Sequence, residues 1–318
     1  MEVIMNKTAF IFPGQGAQYV GMGKDFYDNF QVARETFETA SEVLNLDLKK
    51  MCFEGPENQL MLTENTQPAI LTVSTAILNV LKKEFHLSCD LTAGLSLGEY
   101  TALVNSEIIS FEEAVKVVKN RGKFMQNAVP EGKGKMAALI GANRIDVERL
   151  CYNHKQYGII QPSNFNCPGQ IVIGGEVAPI ERAVKNASDY NIKRAIELPV
   201  SAPFHTEMLK PAAEKLSKEL EKITVKTGLY PVISNVTGEV YDDNSNIKDY
   251  LVKQVYSSVL WEDSINTMIS QGVDTFIEIG PGKSLSGFVK KINRNLNILN
   301  VQDLKSLNKS FVKLGVAS

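Results

Sequence analysis

The chain has 318 residues, 44% of them hydrophobic and 22% charged, with a formal net charge of −2. That length exceeds one ordinary core and points to a large domain with a smaller companion. The near-neutral balance argues against nucleic acid as a partner, and the most apolar run, Ala69 to Leu81, is broken by Thr72, Ser74, Thr75 and Asn79 and does not read as a membrane span.

In chain order, Thr8 to Phe12 reads as a buried strand running into the turn Pro13-Gly14-Gln15-Gly16. The opening Met1 to Phe12 is too short, and acidic too early at Glu2, for a secretory leader, so a cytoplasmic location is expected. Helical patterns follow over Asp25 to Leu44 and Pro68 to Phe85. A short apolar run, Leu91 to Ala93, then meets a helix-like run, Leu97 to Val104, and a further helix pattern spans Phe111 to Ala128. Strands alternating with helices predict an α/β layered domain with a parallel sheet.

The next segment has its own rhythm. Met136 to Ile140 reads as a strand and Arg144 to His154 as a helix. Ile159 to Phe165 and Gln170 to Gly174 read as two strands across the turn Asn166-Cys167-Pro168-Gly169, followed by a helix over Ala178 to Tyr190 and a strand over Ile192 to Leu198. The order βαββαβ matches a ferredoxin-like unit, here an inserted small subdomain over residues 131–199. The large subdomain takes residues 1–130 and 200–305. Its second part holds a helix over Met208 to Ile223, a strand over Val232 to Asn235, a mainly helical stretch from Tyr250 to Gln271, and a strand from Thr275 to Ile279. Residues 306–318 read as a poorly ordered or loosely docked tail. Cys52, Cys89, Cys151 and Cys167 are widely spaced with no Cys-x-x-Cys, as reduced buried thiols are, and no metal-ligand spacing is visible.

Chemistry concentrates at Gly94-Leu95-Ser96-Leu97-Gly98, a Gly-x-Ser-x-Gly between strand and helix. This is the form of a nucleophile elbow, in which flanking glycines permit a tight turn and the serine sits at a helix N-terminus. An ordinary strand-to-helix turn shares the pattern. A serine nucleophile needs a base, and the chain has three histidines. His86 and His154 each end a helix, where a cation is favourable. His205 lies in Pro199-Val200-Ser201-Ala202-Pro203-Phe204-His205, a proline-punctuated segment at the seam of the two subdomains, where clefts commonly bind ligands. Arg121 shares one helical face with Ala114, Val118 and Met125, so it points where a core residue points. A guanidinium there needs an anion. Glu112, Glu113 and Asp90 are the near acids in sequence and none is placed for an internal pair, which leaves a ligand carboxylate as the sharper reading.

Six segments in this order then fit one family. They are Phe12-Pro13-Gly14-Gln15-Gly16-Ala17-Gln18, Thr66-Gln67-Pro68-Ala69, Gly94 to Tyr100, Arg121-Gly122, Asn164 to Gln170, and Gly280-Pro281-Gly282-Lys283. From about Thr8 to Asn293 the chain closely resembles malonyl-CoA:acyl-carrier-protein transacylases and the acyltransferase domains of polyketide synthases. The resemblance implies an α/β-hydrolase-like large domain with an inserted ferredoxin-like subdomain. It implies Ser96 as the nucleophile that accepts malonyl and His205 as its base. A carbonyl at Gln254 would support the histidine in place of an aspartate. The backbone amides of Gln15 and Leu97 would form the oxyanion hole, and Arg121 would grip the malonate carboxylate. Gln67 and Asn166 would line the pocket, and Phe204 before the histidine resembles members that select malonyl over methylmalonyl.

Further implications are a ping-pong transfer from a coenzyme A thioester to the phosphopantetheine thiol of an acidic, transiently bound carrier protein, no bound cofactor, no metal, and a monomer. Leu95 departs from the family, which commonly has histidine before the nucleophile. Leucine there resembles free-standing acyltransferases that serve polyketide assembly lines in trans, with housekeeping fatty-acid synthesis the alternative. A serine hydrolase would place its histidine near the C-terminus after an acid, which this chain does not. An acyl hydrolase of the same family would have no use for Arg121, and a non-catalytic carrier-binding module would have none for Ser96.

Overall fold

The computed structural model describes residues 7–200 and 202–314. Ser201, residues 1–6, where the leader expectation begins, and the final residues 315–318 of the expected tail lie outside the described residues. Two four-stranded sheets organise the rest. The first consists of β1 (Lys7–Phe12), β2 (Leu91–Gly94), β7 (Val273–Ile279) and β8 (Asn297–Val301) in the order β2-β1-β7-β8, all parallel. The central strand β1 is buried from Ala9 to Phe12 because helices cover both of its faces, as a parallel sheet requires.

The helix Thr63–Phe85 is the spine of the large subdomain and is buried over most of its length. It begins five residues before Pro68, the start expected from sequence. The hydroxyl of Thr66 donates to the Leu60 and Leu62 carbonyls and holds the first turn ahead of the proline. The helix Phe111–Gln126 crosses this spine at Gly122, where a Cβ would sit 2.5 Å from the Thr63 carbonyl oxygen. That close approach carries the neighbouring Arg121 into the interior.

The second sheet consists of β3 (Gly134–Ile140), β4 (Ile160–Cys167), β5 (Gln170–Glu176) and β6 (Arg194–Glu197) in the order β4-β5-β3-β6, all antiparallel. Alternation along the strands separates its faces. Ala137, Leu139, Ile171 and Ile173 pack with the core residues of the helices Arg144–His154 and Val177–Lys185, while Met136, Ala138 and Val172 pack with Phe204 and Val200 on the opposite face.

Several boundaries differ from expectation. The predicted helix Asp25 to Leu44 is two, Lys24–Asn29 and Gln31–Leu44, broken at Phe30, whose backbone is extended. The stretch Tyr250 to Gln271 is also two helices, Ile247–Gln254 and Trp261–Ser270; between them Val259 pairs with β4, which ends the first helix at Gln254. The expected strand Val232 to Asn235 is reduced to isolated bridges, with Val232 against Thr92 of β2 and Ile233 against Val240. Edge strand β8 is unmarked in the sequence pattern because Asn297 and Asn300 interrupt its apolar run.

The tail expectation is corrected. Residues Leu304–Leu314 form a helix that buries Leu307 and Phe311, with the Phe311 ring 4.4 Å from that of Phe85. Its apolar residues recur at helical spacing, which fixes it to the large subdomain. All four cysteines are free and buried.

Candidate active site

Ser96 sits between β2 and the helix Leu97–Asn105 with φ 54° and ψ −103°. A non-glycine residue held there is strained, and the surroundings must hold it in place. They do so through the two glycines. A Cβ on Gly94 would overlap the Gly98 backbone, and one on Gly98 would overlap the Phe12 carbonyl. The Ser96 N–H donates to Asn235 Oδ1 at 2.6 Å, and Asn235 Nδ2 donates back to the Gly94 carbonyl at 2.8 Å. Leu97 is the first residue of the helix, so its amide has no acceptor within that helix. Gln15 lies on the turn after β1, and both residues line the same cleft as Ser96.

His205 also has positive φ, at 60°. Its Nε2 is 2.7 Å from Ser96 Oγ, and its Nδ1 is 2.7 Å from the Gln254 backbone carbonyl. A carbonyl only accepts, so Nδ1 carries the hydrogen and Nε2 of the neutral ring presents its lone pair to the serine hydroxyl. Burial, aided by the Arg121 charge, pushes the histidine down to about 4, against the opposing pull of the Gln254 carbonyl. The ring is therefore neutral, and competent as a base, across the neutral range.

Arg121 is 1% exposed. Its Nη1 donates to Gln67 Oε1 at 2.8 Å, and its Nη2 donates to Gln254 Oε1 at 2.8 Å and to Ser96 Oγ at 3.1 Å. Nε has no partner, and no ion pair among the described residues includes this guanidinium. Two of the three sequence neighbours considered for it are occupied elsewhere: Glu113 caps its own helix with Ser110, and Asp90 accepts from the Thr8 amide. A buried cation with only neutral acceptors, beside a serine hydroxyl, is arranged to receive an anion.

These groups open on a cleft of about 720 Å³ between the two sheets. Gln67, Leu95, Asn166 and Phe204 line it as well. Leu95 packs with the apolar cluster around Ile11 and Trp261. His86 ends the helix Thr63–Phe85, and His154 bonds the Leu150 carbonyl inside the small subdomain, so neither enters the site.

Sequence reasoning did not single out Glu99, Tyr241 or Asn235. Glu99 is 1% exposed and accepts from the Tyr241 hydroxyl, the Asn235 amide and Gln254 Nε2. Burial pushes its carboxyl up to about 7, while those donors and Arg121 pull the other way. Its one sequence signal was a carboxylate inside the otherwise apolar run that follows Ser96.

A serine at a strand-to-helix turn, a neutral histidine and a buried cation thus meet at one hydroxyl, an arrangement that can perform serine-dependent acyl transfer. The acyl transferase domain family matches residues 9–307. The malonyl CoA-acyl carrier protein transacylase of Bacillus subtilis (strain 168) is 47% identical over 304 residues, which cover 95% of this chain and 96% of that protein. A malonyl CoA-acyl carrier protein transacylase structure from Clostridium perfringens ATCC 13124 superposes with TM-score 0.94 at 52% identity, covering 97% of each chain. A malonyl-transacylase solved in complex with its type II PKS acyl-carrier protein superposes with TM-score 0.94 at 41% identity, covering 97% of this chain and 100% of the other. The chain belongs to the malonyl-CoA:acyl-carrier-protein transacylase family and is an acyltransferase.

Proposed function

We propose that Ser96 carries malonyl from coenzyme A to the phosphopantetheine thiol of an acyl carrier protein in two half-reactions. The observation that carries this reading is the convergence of His205 Nε2 and Arg121 Nη2 on Ser96 Oγ, at 2.7 and 3.1 Å. His205 takes the hydroxyl proton as Oγ attacks the thioester carbonyl. The oxyanion is held by the amides of Gln15 and Leu97, and collapse expels coenzyme A as the thiol, which takes the proton from His205. The carrier thiol then attacks the serine ester by the same route in reverse. A thioester is activated enough that a backbone carbonyl, rather than a carboxylate, suffices to orient the imidazole. Arg121 binds the free carboxylate of malonate, and Phe204 crowds the α-carbon and disfavours methylmalonyl.

The antiparallel order β4-β5-β3-β6, with helices packed on one face, supports a ferredoxin-like reading of residues 131–199. The serine turn after a parallel strand supports an α/β-hydrolase-like reading of residues 1–130 and 200–305. Every reacting group comes from one chain, which suits a monomer. Lys290 and Lys291 on the cleft helix Ser284–Ile292, and Lys283 and Arg294 flanking it, are candidates for contact with an acidic carrier. Lys119 is already held by Asn65 and Glu64, and Lys123 lies on the same helix.

The carrier served is read as that of general fatty-acid synthesis, because the curated relatives of matching length carry the general transacylase name. The assembly-line reading rests on Leu95, and the relative solved with its type II PKS carrier keeps it as the second reading. The test is to load the protein with malonyl-CoA, remove free thioester, and add equal amounts of a fatty-acid and an assembly-line holo carrier protein. The expected result is transfer of the malonyl group to a carrier, faster to the fatty-acid one. Preference for the assembly-line carrier reverses the pathway reading, and retention of malonyl on the protein with both carriers defeats the transfer itself.

A further inference from the structure

Gln254 is shared by every charged or basic group of the site. Its backbone carbonyl accepts from His205, its Oε1 accepts from Arg121, and its Nε2 donates to Glu99 and to the Ser96 carbonyl, the latter at 3.0 Å. The two ends of an amide are alike in shape and opposite in hydrogen-bonding sense. What decides which end faces Arg121 is therefore the group at the other end.

Two acceptors stand there, the Ser96 carbonyl and Glu99, and Glu99 is the charged one. All of its partners are donors: the Tyr241 hydroxyl, the Asn235 amide and Gln254 Nε2. Glu99 Oε2, the oxygen away from the Tyr241 hydroxyl, accepts from Gln254 Nε2 and, with the Ser96 carbonyl, directs Gln254 to present its NH2 inward and its oxygen to the guanidinium. The flipped amide would set its oxygen against Glu99 and against the Ser96 carbonyl and its NH2 against the guanidinium, three mismatches in a buried site. Among the described residues the other hydrogen-bond acceptors of Arg121 are Gln67 and Ser96, so loss of the Gln254 oxygen would free it to leave its place beside the serine.

We propose that Glu99 is a positioning residue for carboxylate recognition: it fixes the Gln254 amide, and the fixed amide holds Arg121 beside Ser96 Oγ. The inference rests on the reading of Arg121 as the grip on the malonate carboxylate. Its signature is selectivity, because a donor without a free carboxylate, such as acetyl-CoA, does not use that grip.

The experiment is single-turnover acylation of the full chain by malonyl-CoA and by acetyl-CoA, read by intact mass, for wild type, Glu99→Gln, Glu99→Asp, Gln254→Leu and Arg121→Ala. Glu99→Gln is expected to lower malonyl loading about tenfold more than acetyl loading, the weight of one charge-assisted hydrogen bond. Glu99→Asp, which keeps the charge, is expected to restore part of the malonyl preference. A merely structural Glu99 would lower both donors in proportion, and that result, or no change in either, overturns the inference. If Glu99→Gln does not fold, Gln254→Leu reads the same link, because the backbone carbonyl to His205 remains; a malonyl preference intact in that variant equally overturns it. Arg121→Ala separates the two levels. Loss of preference there with retention in Glu99→Gln removes only Glu99, whereas retention in Arg121→Ala removes the grip on which the inference stands.

Discussion

The groups that reach the cleft from the parallel sheet and those that reach it from the antiparallel sheet are of different kinds. On the parallel side they come from strand ends and from the helices packed beside them: Gln15 after β1, Ser96 after β2, Gln67 and Arg121 on helices. On the antiparallel side they come largely from within strands: Met136 and Ala138 of β3, Asn164 and Asn166 of β4, and Val172 of β5. A strand end leaves backbone amides unpaired and a helix N-terminus exposes more of them, so charge can be stabilised there. The middle of a strand has its backbone committed to the ladder and offers side chains alone. In the proposed reaction the reacting groups Ser96, His205 and Arg121 thus belong to the parallel-sheet side and the shape of the acyl pocket to the antiparallel sheet, with Phe204 at the seam.

That division can be broken experimentally, starting with the reactive side. His205→Ala is expected to lower malonyl loading by about 10²–10⁴, the usual weight of a positioned general base. In wild type the imidazole is held down to about 4, so it is unprotonated above that value. The acid limb of kcat/KM is expected to fall as pH drops through about 4, when the base takes up its proton. An acid limb near the ordinary histidine value of about 6.5 that persists in Glu99→Gln, where the carboxyl held up to about 7 can no longer titrate, would show that the ring is solvated in the working enzyme.

At the seam the expected effect is smaller and of another kind. Phe204→Ala is expected to raise methylmalonyl loading relative to malonyl about tenfold, within the range that one methyl contact in a pocket commands. Equal loading of the two donors by wild type would defeat the assignment of Phe204 as the crowding residue, and a Phe204→Ala variant that lost malonyl loading as severely as His205→Ala would erase the division between reactivity and shape.

The same contrast explains what the sequence could tell. The second sheet and its helices were legible in their element order because short strands with turn signals at Asn166–Gly169 alternate with helices that carry one apolar face. The strand-to-helix turn at Ser96 was legible because its two glycines are required by packing against Gly98 and Phe12. Arg121 stood out as a cation on an apolar helical face, and its burial follows from that pattern. What stayed hidden were residues whose roles depend on segments far away in the chain. Glu99 meets Tyr241 and Gln254 only after the chain has returned from the small subdomain, and no local period marks such a meeting. Asn235 was visible as the end of a strand-like run but not as the acceptor for the Ser96 amide. The last helix was taken for a tail because its stretch is rich in lysine and serine, which masks the two buried positions, Leu307 and Phe311, that dock it.

The most direct test of the account is to incubate wild type, Ser96→Ala and Arg121→Ala with malonyl-CoA, digest each, and locate the added mass on peptides. The account predicts one malonyl group on the Ser96 peptide of wild type, none on Ser96→Ala, and a strongly reduced amount on Arg121→Ala. Malonyl found on any other residue, or loading of Arg121→Ala at the wild-type rate, would contradict it.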